Sequence, residues 1–194
     1  MNALQFGFRW LHVLAGITWI GHLYFFNFVN VPFQGSIDDA TKKAANPQLQ
    51  PRALWWFRWG AMVTFLSGLI LFAQIYMYDP VMGFGAGART PSLWIMMGML
   101  FGAIMWFNVW FIIWPTNRKL LSGQIPADQI AAARAKAKLF SRTNTYLSGP
   151  MLFGMLGANH LGSQSPKALI ASLIIGFGGM WVAIFHSDRV GKTV

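Results

Sequence analysis

Residues 9–26 read RWLHVLAGITWIGHLYFF, and no acidic residue, lysine or arginine follows Arg9 until Asp38. A helix needs roughly 20 predominantly apolar residues to cross the hydrocarbon core of a bilayer. The apolar character extends on both sides of the quoted stretch, so that residues 6–29 are long enough for such a helix. This stretch therefore predicts a transmembrane helix and, with it, the fold class of the chain.

Four more stretches have a similar length and few charges. They lie at about 53–78, 92–114, 143–163 and 167–186. The chain of 194 residues is 55% hydrophobic and 10% charged, whereas a soluble domain carries about 25% charged residues. We therefore predict an all-α fold in which residues 1–194 form a single domain, an integral membrane bundle of about five transmembrane helices.

The basic residues predict the orientation of this bundle. Lysine and arginine concentrate in the first connection (about 30–52), in the third connection (about 115–142) and in the tail after the fifth helix. The second and fourth connections contain one cation each, Arg89 and Lys167. Five crossings bring the basic segments to one face, which the positive-inside rule assigns to the cytoplasm, with the N-terminus outside. Because topology explains the net charge of +10, we expect no nucleic-acid partner.

The sequence contains no cysteine. This excludes disulfides, thiolate metal sites, cysteine-ligated iron–sulfur clusters and covalent c-type haem attachment within these residues. A redox centre would need histidine, methionine or another non-thiol ligand. The 11 methionines could suggest Cu(I), but they are scattered, and packing of the core is the interpretation we favour.

The four histidines all fall in, or at the ends of, predicted transmembrane helices, where an ionisable residue is a candidate for function. His12 and His22 lie in the outer and inner halves of the first helix. They differ by about 80° around the helix axis, so both can face the bundle interior. His160 lies near the outer end of the fourth helix and His186 near the inner end of the fifth. The histidines therefore sort into an outer pair, His12 with His160, and an inner pair, His22 with His186.

Two histidines at equal depth on facing helices suit axial ligation of a b-type haem. The outer pair would ligate one haem and the inner pair a possible second one. Arg9 outside and Arg189 inside could accompany the haem propionates. In the alternative interpretation, the histidines form hydrogen bonds between helices, and the chain is a cofactor-free structural subunit that anchors a partner.

Small residues recur within the predicted helices at spacings typical of helix contacts. Two interpretations remain open: close packing of neighbouring helices, or space for a flat macrocycle. The glycines concerned are Gly98, Gly102, Gly176, Gly178 and Gly179.

Three stretches resemble the membrane domain of bacterial urate hydroxylase, also called the urate oxidase N-terminal domain family. They are RWLHVLAGITWIG (9–21), GAIMWFNVWFIIWPTNRKLLSG (102–123) and SRTNTYLSGPMLFGMLGANH (141–160). The resemblance implies a protein of the bacterial inner membrane that is linked to electron transfer. Family members commonly carry a following c-type cytochrome domain, with urate oxidation attributed to the whole. Because the sequence ends at Val194 without a cysteine, we expect that domain to be absent.

The resemblance bears differently on the two histidine pairs. His12 and His160 match positions of the family. His22 falls where the family more often has a small residue, and Thr143 where it often has histidine. The resemblance therefore supports the outer pair more than the inner pair.

Together these observations predict a haem-b-binding membrane subunit for electron transfer in a larger bacterial redox complex. Its partners would be other subunits, with a cytochrome c and a quinone as candidate redox partners. The alternatives are the cofactor-free anchor and a urate hydroxylase-like oxidoreductase that acts on its substrate directly. Paired carboxylates, a nucleophile triad and a phosphate-binding loop are not found in the sequence, so an electron-transfer role is preferred over a catalytic one.

Overall fold

The computed structural model of the chain is an all-α bundle. Among the residues that the structure describes, four helical segments are long and apolar enough to cross a membrane: Ala3–Ser36, Asp39–Met77, Leu93–Leu121 and Pro166–Ser187. The chain is accordingly a multi-pass membrane protein whose apolar helices contact the lipid bilayer.

The structure describes most of the chain. The described ranges are 2–79, 83–85, 90–161 and 165–191. Arg89, Lys192 and the last residues of the predicted fourth helix, 162–163, lie outside the described residues.

The elements follow one another as long helices interrupted by π-helical turns. Their bounds are α1 Ala3–Tyr24, π1 Phe25–Asn30, α2 Val31–Ser36, α3 Asp39–Phe72, π2 Ala73–Met77, β1 Tyr78–Asp79, β2 Gly83–Phe84, α4 Leu93–Phe107, π3 Asn108–Ile113, α5 Trp114–Leu121, α6 Ile130–His160 and α7 Pro166–Ser187. The two strands pair antiparallel and form a short hairpin.

Polar caps start α1, α3, α4 and α7, and α3 begins at Asp39, well before the predicted start near residue 53. Each cap residue accepts a hydrogen bond from the backbone N–H three residues later, which satisfies one of the donors left free at a helix start. Asn2 caps α1 in this way, Asp38 caps α3, Ser92 caps α4 and Ser165 caps α7.

The predicted fourth transmembrane helix lies in α6, which is not among the four most apolar helices. Helix α6 begins at Ile130, inside the basic third connection, so that part of this connection and the predicted fourth helix form one continuous helix. Asn144, Thr145 and Ser148 are fully buried within the bundle. Their polar character explains the lower hydropathy of α6, because this helix faces α4, α7 and α1 rather than lipid alone.

The core joins α1, α3, α4 and α6. Its buried members are Trp19, Ile20, Leu23, Phe57, Ala61, Met105, Val109, Ile113 and Met151. Because it spans four helices, this core fixes their mutual register.

Two hydrogen bonds show that α1 and α6 run antiparallel. The Tyr24 hydroxyl lies 2.9 Å from Ser148 Oγ, and the side-chain amide of Asn27 donates to Ser141 Oγ at 2.9 Å. Ser148 Oγ also lies 3.5 Å from Met180 Sδ of α7. These contacts place Tyr24, Ser148 and Met180 at one level of the bundle.

The glycines at the helix contacts serve close packing. A Cβ atom added to Gly98 would lie 3.0 Å from the backbone nitrogen of Met155, and one added to Gly176 would lie 2.5 Å from the nitrogen of Pro150. The backbones of α4, α6 and α7 therefore approach at these points, and neighbouring atoms already fill the space beside both glycines.

Candidate functional site

His12 lies between α1 and α3. Its ring is half-buried, and Nδ1 lies 3.1 Å from Ser67 Oγ. Gly68 follows on α3, where an added Cβ would lie 3.0 Å from His12 Cε1. The absence of a side chain at Gly68 therefore makes room for the imidazole against the backbone of α3.

The hydrogen bonds of Ser67 favour one tautomer of His12. Ser67 Oγ donates its single proton to a backbone carbonyl of its own helix, with Val63 O at 2.6 Å and Thr64 O at 3.1 Å. A lone pair of the hydroxyl then faces His12, which favours the tautomer with Nδ1–H as the donor. The ring also has a hydrogen bond with the backbone of Thr64. In this tautomer Nε2 keeps a lone pair. Histidines that bind metals commonly have this arrangement, because a fixed donor bond orients the ring.

Arg9 lies one helical turn before His12 on the same face of α1. Its Nε is buried and has no hydrogen-bond partner in the part of the chain that the structure describes. An unpartnered buried donor is costly, since it has lost its bonds to water. An anionic group near this turn of α1 would satisfy it.

His160 is the last residue of α6 and is exposed. It lies twelve residues after Ser148, and His12 lies twelve residues before Tyr24. Both histidines are therefore about 18 Å from the Tyr24–Ser148 hydrogen bond along their helix axes. The equal depth that the sequence suggested for the outer pair is present.

His160 does not point from α6 toward His12. Because twelve residues of helix rotate a side chain by about 120°, His160 lies on a different face of α6 from Ser148, which contacts α1. Asn159 is closer to the face on which Ser148 lies. The last turns of α6 also contact α4, where an added Cβ on Gly157 would lie 3.1 Å from the Trp94 ring. His160 thus has the depth of His12 without being directed toward it.

His22 and His186, the predicted inner pair, lie at different depths in the bundle. His22 Nδ1 donates to Thr18 O at 2.7 Å, and His186 is exposed near the end of α7. Relative to the level of Tyr24 and Met180, His22 lies two residues toward one end and His186 six residues toward the other. Their depths therefore differ by about 12 Å, which is too much for one iron to be bound by both.

The offset already follows from the positions of the two histidines in their predicted helices. His22 lies seven residues before residue 29, the inner end of the first predicted helix, whereas His186 is the last residue of the fifth, 167–186. The assignment of both histidines to the inner side did not include this difference in depth.

Ser67 and Gly68 were missed by the sequence analysis. A serine inside an apolar helix most often bonds to its own backbone, as Ser67 also does. Only the register of α1 against α3 shows that its oxygen meets His12. A single sequence does not contain that register.

Comparison with known proteins gives one family. The model of a family described as urate oxidase N-terminal matches residues 87–193, which include His160 and His186 but neither His12 nor His22. No curated protein and no solved structure matches the chain.

Proposed function

The chain belongs to the urate oxidase N-terminal family, and from this premise we propose that it is a haem-b-binding subunit for electron transfer in a membrane redox complex. The observation that carries the proposal is the state of His12. Its Nδ1 lies 3.1 Å from Ser67 Oγ, the tautomer that Ser67 favours keeps a lone pair on Nε2, and Arg9 Nε, which has no hydrogen-bond partner among the described residues, lies one turn away.

The residues around His12 fit one b-type haem. His12 would hold the haem iron through Nε2, Ser67 would orient its ring, and Arg9 would pair with a propionate. His160 is the candidate second ligand by its depth, although its position on α6 does not direct it toward His12. A bound haem would supply a one-electron redox couple. The inner pair, His22 with His186, does not fit a second haem of this kind because of its offset in depth.

An electron-transfer role would need redox partners for the haem, for which a cytochrome c, a quinone and other subunits are the candidates. The membrane would be the bacterial inner membrane, with the N-terminus of α1 outside.

A spectrum of the purified chain tests the proposal. The full chain, expressed with an adequate supply of haem, should show a reduced-minus-oxidised haem spectrum and contain extractable haem. His12→Ala should abolish both signals. His160→Ala should convert a six-coordinate low-spin spectrum to a five-coordinate high-spin one if His160 is the second ligand. His22→Ala and His186→Ala are the matched controls and should leave the spectrum unchanged.

Two outcomes contradict the proposal. The first is a folded wild-type chain that binds no haem. The second is a haem signal that survives His12→Ala without change, which would remove the proposed ligand.

The cofactor-free anchor is the second candidate. It is favoured by the packing of His12, whose ring is already hydrogen-bonded to Ser67 and in contact with Gly68. In this case His12→Ala would lower only stability, and no haem would be found. The third candidate, a urate hydroxylase-like oxidoreductase, rests on family membership. It requires turnover of urate by the purified chain with an added electron acceptor.

A further inference from the structure

Arg58 of α3 is surrounded by three indole rings. Its guanidinium carbon lies 5.2 Å from the ring centroid of Trp59, 5.0 Å from that of Trp110 and 3.9 Å from that of Trp114. The indole N–H of Trp110 donates to the backbone carbonyl of Arg58 at 3.2 Å, which fixes α3 against π3. The cluster is therefore a built contact between two helices rather than a loose group of surface side chains.

A second arginine shares one of these rings. The guanidinium carbon of Arg118 lies 5.5 Å from the centroid of Trp114. Trp114 and Arg118 are four residues apart on α5, so they lie on one face of that helix. The two distances to Trp114 limit the separation of the two guanidinium carbons to 9.4 Å.

In the part of the chain that the structure describes, no carboxylate balances the charge of this pair. Within the described ranges, neither Arg58 nor Arg118 has a carboxylate within ion-pair distance, whereas Lys42 has Asp39. Arg58 Nε is buried and has no hydrogen-bond partner among the described residues. The indole rings attract the cations, but they leave this N–H unsatisfied and do not relieve the repulsion between two like charges.

The position of the two arginines in the bundle indicates which anion they would bind. Arg58 and Arg118 lie toward the basic end, formed by the α2–α3 and α5–α6 connections. Trp55 and Trp56 precede Arg58 on α3, and their side chains are 49% and 55% exposed. Exposed tryptophans in a membrane helix mark the level of the lipid headgroups. Guanidinium groups bind phosphate through two parallel hydrogen bonds.

We propose that Arg58 and Arg118, both held against Trp114, bind the phosphate of an anionic phospholipid at the basic interface of the bundle. The phosphate accepts hydrogen bonds from the two guanidinium groups, including the buried Nε of Arg58. The acyl chains lie along the apolar surface of α3 and α5. Two cations without a carboxylate favour a lipid with a net negative charge over a zwitterionic one. This site is independent of the proposed haem.

Lipid binding to the purified full chain tests the site. Native mass spectrometry in a mild detergent would measure the apparent affinity for phosphatidylglycerol and for phosphatidylcholine. We expect tighter binding of phosphatidylglycerol by the wild type. Arg58→Gln and Arg118→Gln should each weaken it by roughly fivefold, and the double variant should show little preference between the two lipids. Arg134→Gln, which removes an exposed cation from the same end, should keep the wild-type preference.

Two further measurements separate the site from general effects. Arg58→Lys keeps the charge but loses the planar fork, so it should bind phosphatidylglycerol more weakly than the wild type while its helical content stays unchanged. Inorganic phosphate supplied without lipid should not bind with the same arginine dependence. The proposal is overturned if Arg134→Gln weakens binding as much as Arg58→Gln, if the two lipids bind equally, or if inorganic phosphate alone occupies the site.

Discussion

The side-chain amide of Asn108 donates to Oδ1 of Asn144 at 2.8 Å, and Asn144 in turn donates to the backbone carbonyl of Met105 at 2.9 Å. This link joins α6 to the start of π3. There the backbone hydrogen bonds change from the α-helical to the π-helical pattern, so the carbonyls have different partners. Helix α6 is therefore held in the centre of the bundle by polar bonds as well as by packing.

Replacement of Asn144 by leucine should destabilise the protein by roughly 1–3 kcal/mol, because the buried amide of Asn108 would lose its acceptor. Asn159→Leu is the matched control, since Asn159 lies on the same helix but is exposed, and it should change stability by less than roughly 0.5 kcal/mol. Thermal or denaturant unfolding in detergent would measure both variants. Equal effects would show that the Asn108–Asn144 bond is not what holds α6.

Two glycines of α7 should respond oppositely to alanine. Gly176→Ala places a Cβ 2.5 Å from the nitrogen of Pro150, so α6 and α7 must separate, at a cost of roughly 1–3 kcal/mol. A Cβ at Gly178 meets nothing within 4 Å, and Gly178→Ala should be neutral or stabilise the helix by up to roughly 1 kcal/mol. Unfolding midpoints of the two variants would decide this, and a destabilised Gly178→Ala would contradict it.

The helices themselves could be predicted from the sequence because their signals are local. Polar caps such as Asp38 and Ser92, the run of apolar residues and the absence of charge each depend on neighbours in the chain. The same reasoning gave the depth of His12 and His160, since helix rise depends only on residue count. The sequence could not give the direction in which His160 points, because a rotation of α6 changes no local pattern.

The start of π3 shows what local patterns do not predict. Its first residue, Asn108, is bonded to Asn144 of α6, and the close approach of Gly176 to Pro150 brings α6 and α7 together. Both features involve pairs of residues that are distant in the sequence. The offset of His22 and His186, in contrast, follows from the predicted bounds of their helices.

The cap of α3 should depend on pH. The backbone N–H of Thr41 donates to Asp38 at 2.7 Å, and this bond is the main reason why the pKa of the Asp38 carboxyl is below its ordinary value. A group with a lowered folded pKa stabilises above its unfolded pKa, about 3.9 for aspartate, and loses this effect as the pH falls through the folded value. The first turn of α3 should therefore fray in acid.

Hydrogen exchange of the peptide that contains Thr41, corrected for the intrinsic rate at each pH, would measure this fraying. Asp38→Asn is the matched control, because asparagine also caps helices but does not titrate. It should remove the pH dependence and keep the protection. If Asp38→Asn frays in acid to the same degree as the wild type, another group is responsible.

Ser67 should fix the orientation of His12, and this prediction rests on the proposed haem. Ser67→Ala removes the acceptor of His12 Nδ1–H, so the ring is free to change its tautomer and angle. Loss of such a partner commonly lowers the affinity of a metal site by roughly 10–100-fold, and we expect haem binding to weaken in that range. Ser67→Thr keeps the hydroxyl and should restore most of the affinity.

Ser172→Ala is the control for loss of a buried serine, since Ser172 Oγ donates to Leu169 O within α7 at 2.7 Å, far from His12. A haem titration followed by absorbance would compare the variants, and the reduction potential of the bound haem should shift only in Ser67→Ala. If Ser67→Ala and Ser172→Ala bind haem as tightly as the wild type, Ser67 does not position His12. In that case the hydrogen bond between them serves only to hold α1 against α3.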